Sequence, residues 1–73
     1  MKYYYERLKE LREDKDLDQK TVANQLGIDQ SYYGKYERGV HPLPLDKLIV
    51  LCKFYNVSAD YILGLPDLPY PQK

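Results

Sequence analysis

The chain has 73 residues, 44% of them hydrophobic and 30% charged, and its 11 basic side chains balance its 11 acidic ones. This composition is typical of one small globular domain, and no apolar run approaches the roughly 18 residues that a membrane-spanning helix needs. The single cysteine excludes an internal disulfide, and the sequence lacks the paired Cys and His spacing of a metal site. Because there is no apolar leader segment, we expect a cytoplasmic protein.

The N-terminal segment favours a helix, helix 1, over about residues 3–15, because it is rich in good helix formers. One face of this helix is occupied, at helical spacing, by Tyr5, Leu8, Leu11, Arg12 and Lys15. The three consecutive tyrosines at its start have two interpretations. Either one or two of them pack at the helix start, or they form a stacking platform for single-stranded bases.

Two further helices and a tight turn are predicted from the residues at their ends. Asp16 is suited to the left-handed conformation that ends helix 1, and Asp18 is a good N-cap for helix 2 over residues 19–26. Gly27 follows at a position that needs a positive φ, and Asp29 caps helix 3. Two short helices joined by a glycine-containing turn form a helix-turn-helix unit, whose second helix can enter the major groove of DNA.

Helix 3, over residues 30–38, has two different faces when it is laid out at about 100° per residue. One sector contains Gln30, Ser31, Gly34 and Lys35, and the other contains Tyr33, Tyr36 and Glu37. A glycine inside a helix costs up to about 1 kcal/mol relative to alanine. Gly34 is therefore either a tolerated surface glycine or a sign that helix 3 approaches DNA closely, and Gly34→Ala stabilises the protein in both cases.

A rigid loop and a fourth helix follow. Residues 40–44 contain two prolines, and His41 is a loop residue or, alternatively, a phosphate contact. Helix 4 is predicted to begin at Pro44 and to continue to Phe54 or Tyr55. Its inward face contains Leu48, Leu51, Cys52 and Tyr55, so Cys52 is expected to be a small buried apolar group.

The C-terminal part of the chain contains a short helix and a tail. Helix 5 is capped by Ser58 and ends at Gly64. Residues 65–73 have three prolines, no periodicity and a PxxP spacing, which favours a proline-rich tail. We therefore predict a five-helix domain over residues 1–64 and a separate tail over residues 65–73.

Four stretches carry a resemblance to a known family. They are RLKELRE in helix 1, the signature of Gln19, Ala23 and Gly27, YERG at 36–39, and NVSADYILG at 56–64. On these residues the chain resembles the lambda-repressor-like, or XRE-type, helix-turn-helix family from about residue 7 to residue 64. The resemblance implies an all-α fold of five helices with the helix-turn-helix at helices 2 and 3. It also implies DNA binding as a dimer and a regulatory role in transcription.

The resemblance further implies which side chains contact DNA. The family's base-contacting positions in helix 3 are occupied here by Gln30, Ser31 and Lys35. Gln can bond adenine at N6 and N7, and Lys can reach guanine O6 and N7. Gln19 lies at a helix N-terminus whose free N–H groups suit a phosphate. Further phosphate contacts are expected from Tyr32, Arg38 and the backbone at Gly39 and Val40.

We make specific predictions for two inward-facing residues, Arg12 and Tyr33. Arg12 shares the inward face of helix 1, and the family pattern pairs this position with the glutamate of YERG, here Glu37. We predict an ion pair between them that is at least partly buried beneath helix 3; the alternative is two solvated charges. Tyr33 occupies a position that is commonly Ile or Val in the family, so we expect the core to accommodate its larger ring, with the hydroxyl reaching the surface.

The leading functional hypothesis is a sequence-specific transcriptional regulator, a repressor, that binds double-stranded DNA. We expect a homodimer on a pseudo-palindromic operator with half-sites about 34 to 36 Å apart. Its control is expected to come from protein concentration or from a regulatory protein partner. Zero net charge predicts modest nonspecific affinity, although residues 19–53 carry five basic side chains against three acidic ones.

Two other classes of function compete with this hypothesis. The first is an antitoxin-like or adaptor module whose main partner is another protein, because exposed tyrosines favour such interfaces. The second is an enzyme. We do not expect one, since the helical layout brings together no nucleophile and base, no paired carboxylates, and no cofactor or metal ligands.

Overall fold

The computed structural model describes residues 3–65, and within them it contains five helices and no strand. The helices are α1 (Tyr4–Asp14), α2 (Gln19–Leu26), α3 (Gln30–Glu37), α4 (Leu45–Tyr55) and α5 (Ala59–Leu63). The predicted all-α fold is confirmed, and the helix boundaries lie within one residue of the predicted ones. The PxxP spacing of the tail lies outside the described residues.

Most of the helix ends are set by capping side chains and by residues with a positive φ. The carboxylate of Asp18 accepts the N–H of Thr21 at 2.8 Å, and the hydroxyl of Ser58 accepts the N–H of Tyr61 at 3.1 Å. Asp16 takes a positive φ of 56° where α1 ends. Asp29 precedes α3 in the extended conformation of an N-cap, but its side chain makes no capping hydrogen bond. Asp29 is therefore the N-cap residue, as predicted, but it does not stabilise the helix start through a side-chain hydrogen bond.

The core lies where all five helices meet. Its buried apolar side chains are Leu8, Leu11, Val22, Ala23, Leu26, Tyr33, Tyr36, Leu48, Leu51, Tyr55 and Ile62. Ala23 has no exposed surface because α2 crosses the neighbouring helices closely at that point, where only a small side chain fits.

Cys52 is only half-buried at the edge of this core, so it is less buried than expected. Partial burial raises the pKa of its thiol.

The tyrosines at the start of α1 pack onto the loop that follows α3. The Tyr4 hydroxyl accepts the N–H of Leu43 at 3.1 Å, which ties the helix start to the loop before α4. The rings of Tyr3 and Tyr5 are stacked with their centroids 5.2 Å apart, and the Tyr5 ring lies against Gly39. These contacts favour the packing interpretation for Tyr4 and Tyr5, while Tyr3 remains largely exposed.

Candidate nucleic-acid interface

An open groove runs along the exposed face of α3 beside the N-terminus of α2. It is lined by Gln19, Asp29, Gln30, Ser31, Gly34, Lys35 and Arg38. All three of the predicted base contacts and two of the predicted phosphate contacts therefore lie in one groove. Two of the lining side chains are basic and one is acidic, so the groove carries a small positive charge.

The other predicted phosphate contacts lie outside this groove. Tyr32 lines a second groove at the turn between α2 and α3, which shares Asp29 with the first groove. The N–H groups of Gly39 and Val40 donate to the carbonyls of Tyr36 and Lys35, at 3.1 and 2.9 Å, where α3 ends. Because these two donors are already used within the helix end, they can reach a phosphate only by sharing their hydrogen bonds.

Arg12 and Glu37 form a bidentate ion pair between α1 and α3. The Arg12 Nε and Nη2 atoms donate to the two Glu37 carboxylate oxygens at 2.8 and 3.1 Å. The third donor of the guanidinium, Nη1, bonds the carbonyl of Leu17 at 2.9 Å. The side chain of Arg12 is 12% exposed and that of Glu37 is 2% exposed. The pair thus lies beneath α3 and fixes how the helix is placed against α1.

Gln19 connects this ion pair to the surface groove. Its side-chain Nε2 donates to Glu37 Oε1 at 3.1 Å, so the amide of the first residue of α2 is held at one orientation. Its Oε1 atom points toward Gly34 in α3. The helix N-terminus and the face of α3 are therefore linked by one side chain, which defines the spacing between them.

The charge on Glu37 is maintained by its partners. Burial by itself would raise the pKa of this carboxyl group. Hydrogen bonds and charge from Arg12, together with the nearby Tyr33 and Gln19 side chains, outweigh burial and leave the pKa of Glu37 below its ordinary value. The hydrogen bond to Glu37 in turn raises the pKa of Arg12. Both groups are therefore charged at neutral pH.

Tyr33 corrects one expectation from the sequence. Its side chain is fully buried, so the core accommodates the ring as predicted, whereas the prediction that the hydroxyl reaches the surface is wrong. The hydroxyl lies among core groups near Glu37, without a hydrogen bond of good geometry to a described residue. Burial and the neighbouring Glu37 carboxylate raise the pKa of Tyr33. The ring fills the space between α3 and the ion pair, so the hydroxyl at its end is also buried.

We predict that Tyr33→Phe raises the free energy of unfolding by up to about 1 kcal/mol, because it removes a buried hydroxyl without a well-placed partner. Urea denaturation of both proteins measures the difference. A loss of stability instead would show that the hydroxyl donates to Glu37 in solution.

Gly34 is covered by two side chains of the groove. A Cβ atom at this position would lie 3.0 Å from Arg38 Nη1 and 3.5 Å from Gln19 Oε1. The residue is buried beneath these side chains, so it is not the exposed surface glycine of the first interpretation. The absence of a side chain allows the Arg38 guanidinium to fold back along α3 toward Gln19.

We predict that Gly34→Ala stabilises the protein by up to about 1 kcal/mol, since helix propensity improves and the flexible end of Arg38 needs to move only slightly. Thermal unfolding measures the effect. The matched control is Gly27→Ala, where no atom lies within 4 Å but φ is +69°, and which should destabilise the protein. A loss of stability in Gly34→Ala would mean that the Arg38 guanidinium cannot move away from the added methyl group.

Two contacts near α3 were not anticipated from the sequence. The ring of His41 stacks on that of Tyr32, with centroids 5.3 Å apart, and Lys35 Nζ lies 5.7 Å from the Tyr32 ring centre. Lys47 donates from Nζ to the carbonyl of Leu26 at 2.9 Å, which satisfies a free carbonyl at the end of α2. His41 is thus a loop residue packed on an aromatic ring. Lys47 lies 21 residues from Leu26, so no local sequence signal indicates its contact with the end of α2.

None of the helices in residues 3–65 is long and apolar enough to cross a membrane. The same residues contain no group of His, Cys, Asp and Glu side chains that could hold a metal ion.

The sequence is similar to those of known helix-turn-helix proteins. A family model described as helix-turn-helix matches residues 8–62. The chain is 46% identical over 69 residues to the uncharacterized HTH-type transcriptional regulator YobD of Bacillus subtilis (strain 168), covering 94% of this chain and 62% of that protein. It is 41% identical over 62 residues to the HTH-type transcriptional regulator ImmR of the same strain, covering 85% of this chain and 49% of that protein. The chain thus spans less than two thirds of the length of these relatives.

The fold has a counterpart among solved structures. The P22 c2 repressor protein, in complex with synthetic operator 9T, superposes with a TM-score of 0.78 at 22% sequence identity. The match covers 86% of this chain and 96% of that one. At this level of identity the likeness establishes a shared five-helix fold.

Proposed function

The chain belongs to the lambda-repressor-like, XRE-type helix-turn-helix family, and from this we infer that it is a sequence-specific transcriptional regulator, a cytoplasmic repressor that binds double-stranded DNA. The family is one of DNA-binding regulators and not an enzyme class. The observation that carries the proposal is the groove on α3. Its exposed polar side chains are held beside the N-terminus of α2 by a buried ion pair.

The groove supplies the donors and acceptors that base edges require. Gln30 and Ser31 lie in the first turn of α3, and Lys35 lies one turn further along the same face. In the major groove, Gln pairs with adenine, Lys with guanine, and Ser with several partners. We expect these three side chains to determine which bases are preferred.

Phosphate contacts are expected on either side of this face. Gln19 offers its amide and the free N–H groups at the start of α2, while Arg38 offers a guanidinium folded back over Gly34. Tyr32 contributes its hydroxyl from the neighbouring groove. Gly39 and Val40 contribute only through donors shared with the end of the helix. These contacts set the register of the protein on DNA and add little sequence preference.

A single copy makes few contacts, so a dimer on a pseudo-palindromic operator is the expected form. Two related half-sites about one helical turn apart match a two-fold protein. Zero net charge implies that nonspecific binding is modest, which makes the second copy more important. Control is expected to come from protein concentration or from a regulatory protein partner.

Alanine changes in the groove separate base contacts from phosphate contacts. Gln30→Ala or Lys35→Ala should cost about 1 to 3 kcal/mol on the preferred duplex and relax the preference at one base position. Arg38→Ala should weaken all duplexes alike and lower the slope of log affinity against log salt by about 1. Fluorescence titrations at several salt concentrations measure both effects.

The matched control for these titrations is Lys9→Ala, which removes an exposed positive charge of α1 outside the groove. It should leave base preference unchanged. Equal losses from Lys9→Ala and Lys35→Ala would contradict a groove-specific contact.

The alternative, an antitoxin-like or adaptor module, is favoured by the exposed aromatic and aliphatic side chains outside the groove. It differs from the regulator in its salt dependence, because binding driven by phosphates must weaken with a nearly linear slope in log salt.

A further inference from the structure

One face of α4 exposes apolar side chains that the described chain leaves uncovered. The opposite face enters the core through Leu48, Leu51 and Tyr55. On the outward face, Leu45 is 72% exposed, Ile49 is 48% exposed and Val50 is 37% exposed. Three large apolar groups on an 11-residue helix form a small patch of the kind that binds another protein.

Two opposite charges lie on the same face of α4. Asp46 and Lys53 are seven residues apart, which is close to two full turns, so they project in nearly the same direction. Both are exposed, and neither forms a salt bridge with another described residue. Ile49 and Val50 lie midway between them, one on either side of the line that joins the two charges.

We propose that this face binds the same face of a second copy of the chain, with the two α4 helices antiparallel across a two-fold axis. The axis passes between Ile49 and Val50. Asp46 of each copy then pairs with the partner's Lys53, and the two apolar side chains of each copy meet those of the other. The proposal rests on the proposed function in one respect: the second copy is the one expected on the neighbouring half-site of the operator.

The charges favour this arrangement over the parallel one. In a parallel two-fold pair, Asp46 would face the partner's Asp46 and Lys53 would face the partner's Lys53, and both contacts would be repulsive. In the antiparallel pair, one attractive contact, Asp46 with the partner's Lys53, occurs twice by symmetry. The spacing of the two charges about the centre of the apolar patch therefore selects one orientation of the second copy.

The size of the patch determines how tightly the copies associate. An 11-residue helix is about 16 Å long. Two such helices bury less than the roughly 1,600 Å² of a standard stable interface, so the free protein dissociates readily. Two adjacent half-sites on one duplex raise the effective concentration of the second copy, and the pair forms there.

Charge reversal tests the pairing directly. Asp46→Lys alone places a lysine side chain against the partner's Lys53, and Lys53→Asp alone places Asp46 against an aspartate. Each variant should weaken self-association by about tenfold or more. An equimolar mixture of the two variants restores both attractive contacts, and its association should return to within about threefold of the original protein.

Sedimentation of the free proteins over a range of concentrations up to the millimolar level measures this recovery. Circular dichroism verifies that both variants are folded, and Lys9→Asp is the control for a charge reversal elsewhere on the surface. If the mixture associates no better than either variant alone, or if the unaltered chain stays monomeric throughout, the α4 pairing is wrong.

A duplex with one half-site separates this result from the proposed function. Both variants should bind a single half-site as well as the original chain does, and lose cooperativity only on two half-sites. If no version of the chain binds any duplex, the DNA-binding proposal fails, while sedimentation still decides whether α4 pairs.

Discussion

Replacing Glu37 by alanine is expected to lower the free energy of unfolding by about 3 to 5 kcal/mol, because it leaves the Arg12 guanidinium charged and without its partner. Arg12 is 12% exposed, so water cannot replace the lost carboxylate fully. The change also removes the acceptor of Gln19. A small domain has a total stability of about 5 to 15 kcal/mol, so a loss of this size is a large fraction of it.

Urea denaturation at neutral pH measures the loss, and Glu13→Ala, an exposed glutamate of α1, is the matched control. The control should change stability by less than about 0.5 kcal/mol. A free energy of unfolding that is unchanged in Glu37→Ala would contradict a buried, stabilising pair.

The same pair predicts how stability depends on pH. The folded protein holds the pKa of Glu37 below its ordinary value, so the stabilisation is fully present above that value and is lost as the pH falls through the lowered pKa. Hydrogen bonds with Thr21 likewise lower the pKa of Asp18, which contributes with the same sign. Glu37→Gln should therefore flatten, without abolishing, the loss of stability in acid.

Gly39→Ala is expected to destabilise the protein by about 2 to 5 kcal/mol. Gly39 has a φ of +75°, where a Cβ atom costs about 1 to 2 kcal/mol. The new atom would also lie only 2.7 Å from Cζ of Tyr5, and this overlap adds about 1 to 3 kcal/mol because the ring must move.

A double-mutant cycle separates the two costs. Tyr5→Ala removes the ring, so Gly39→Ala made in that background should cost only the strain of its backbone conformation. Thermal unfolding of the four proteins gives the coupling. Equal costs in both backgrounds would show that the ring and the glycine do not contact each other.

Much of the fold could be predicted because its signals are local. The bounds of α2 follow from Asp18 at one end and Gly27 at the other, and the structure has the predicted residues 19–26. Caps and turn residues act over a few positions, so a short stretch of sequence is enough to locate them. Arg12 could be paired with Glu37 only with the help of the family pattern, since 25 residues separate them.

The contacts that were missed depend on how whole helices cross. Lys47 reaches the carbonyl of Leu26 across 21 residues, and no local pattern specifies that approach. The burial of the Tyr33 hydroxyl likewise depends on the distance between α1 and α3, which periodicity does not provide. In the groove, sequence spacing grouped the residues of α3 correctly, but it did not show that Arg38 folds back over Gly34.

The central claim, that the groove on α3 binds specific double-stranded DNA, is tested most directly by selection of duplexes from a random pool at low salt. The predicted result is enrichment of a pseudo-palindromic sequence with half-sites about 34 to 36 Å apart, with a preference that relaxes at single positions in Gln30→Ala and Lys35→Ala. Failure to enrich any duplex, even at the lowest salt, would contradict the claim and favour a protein partner instead.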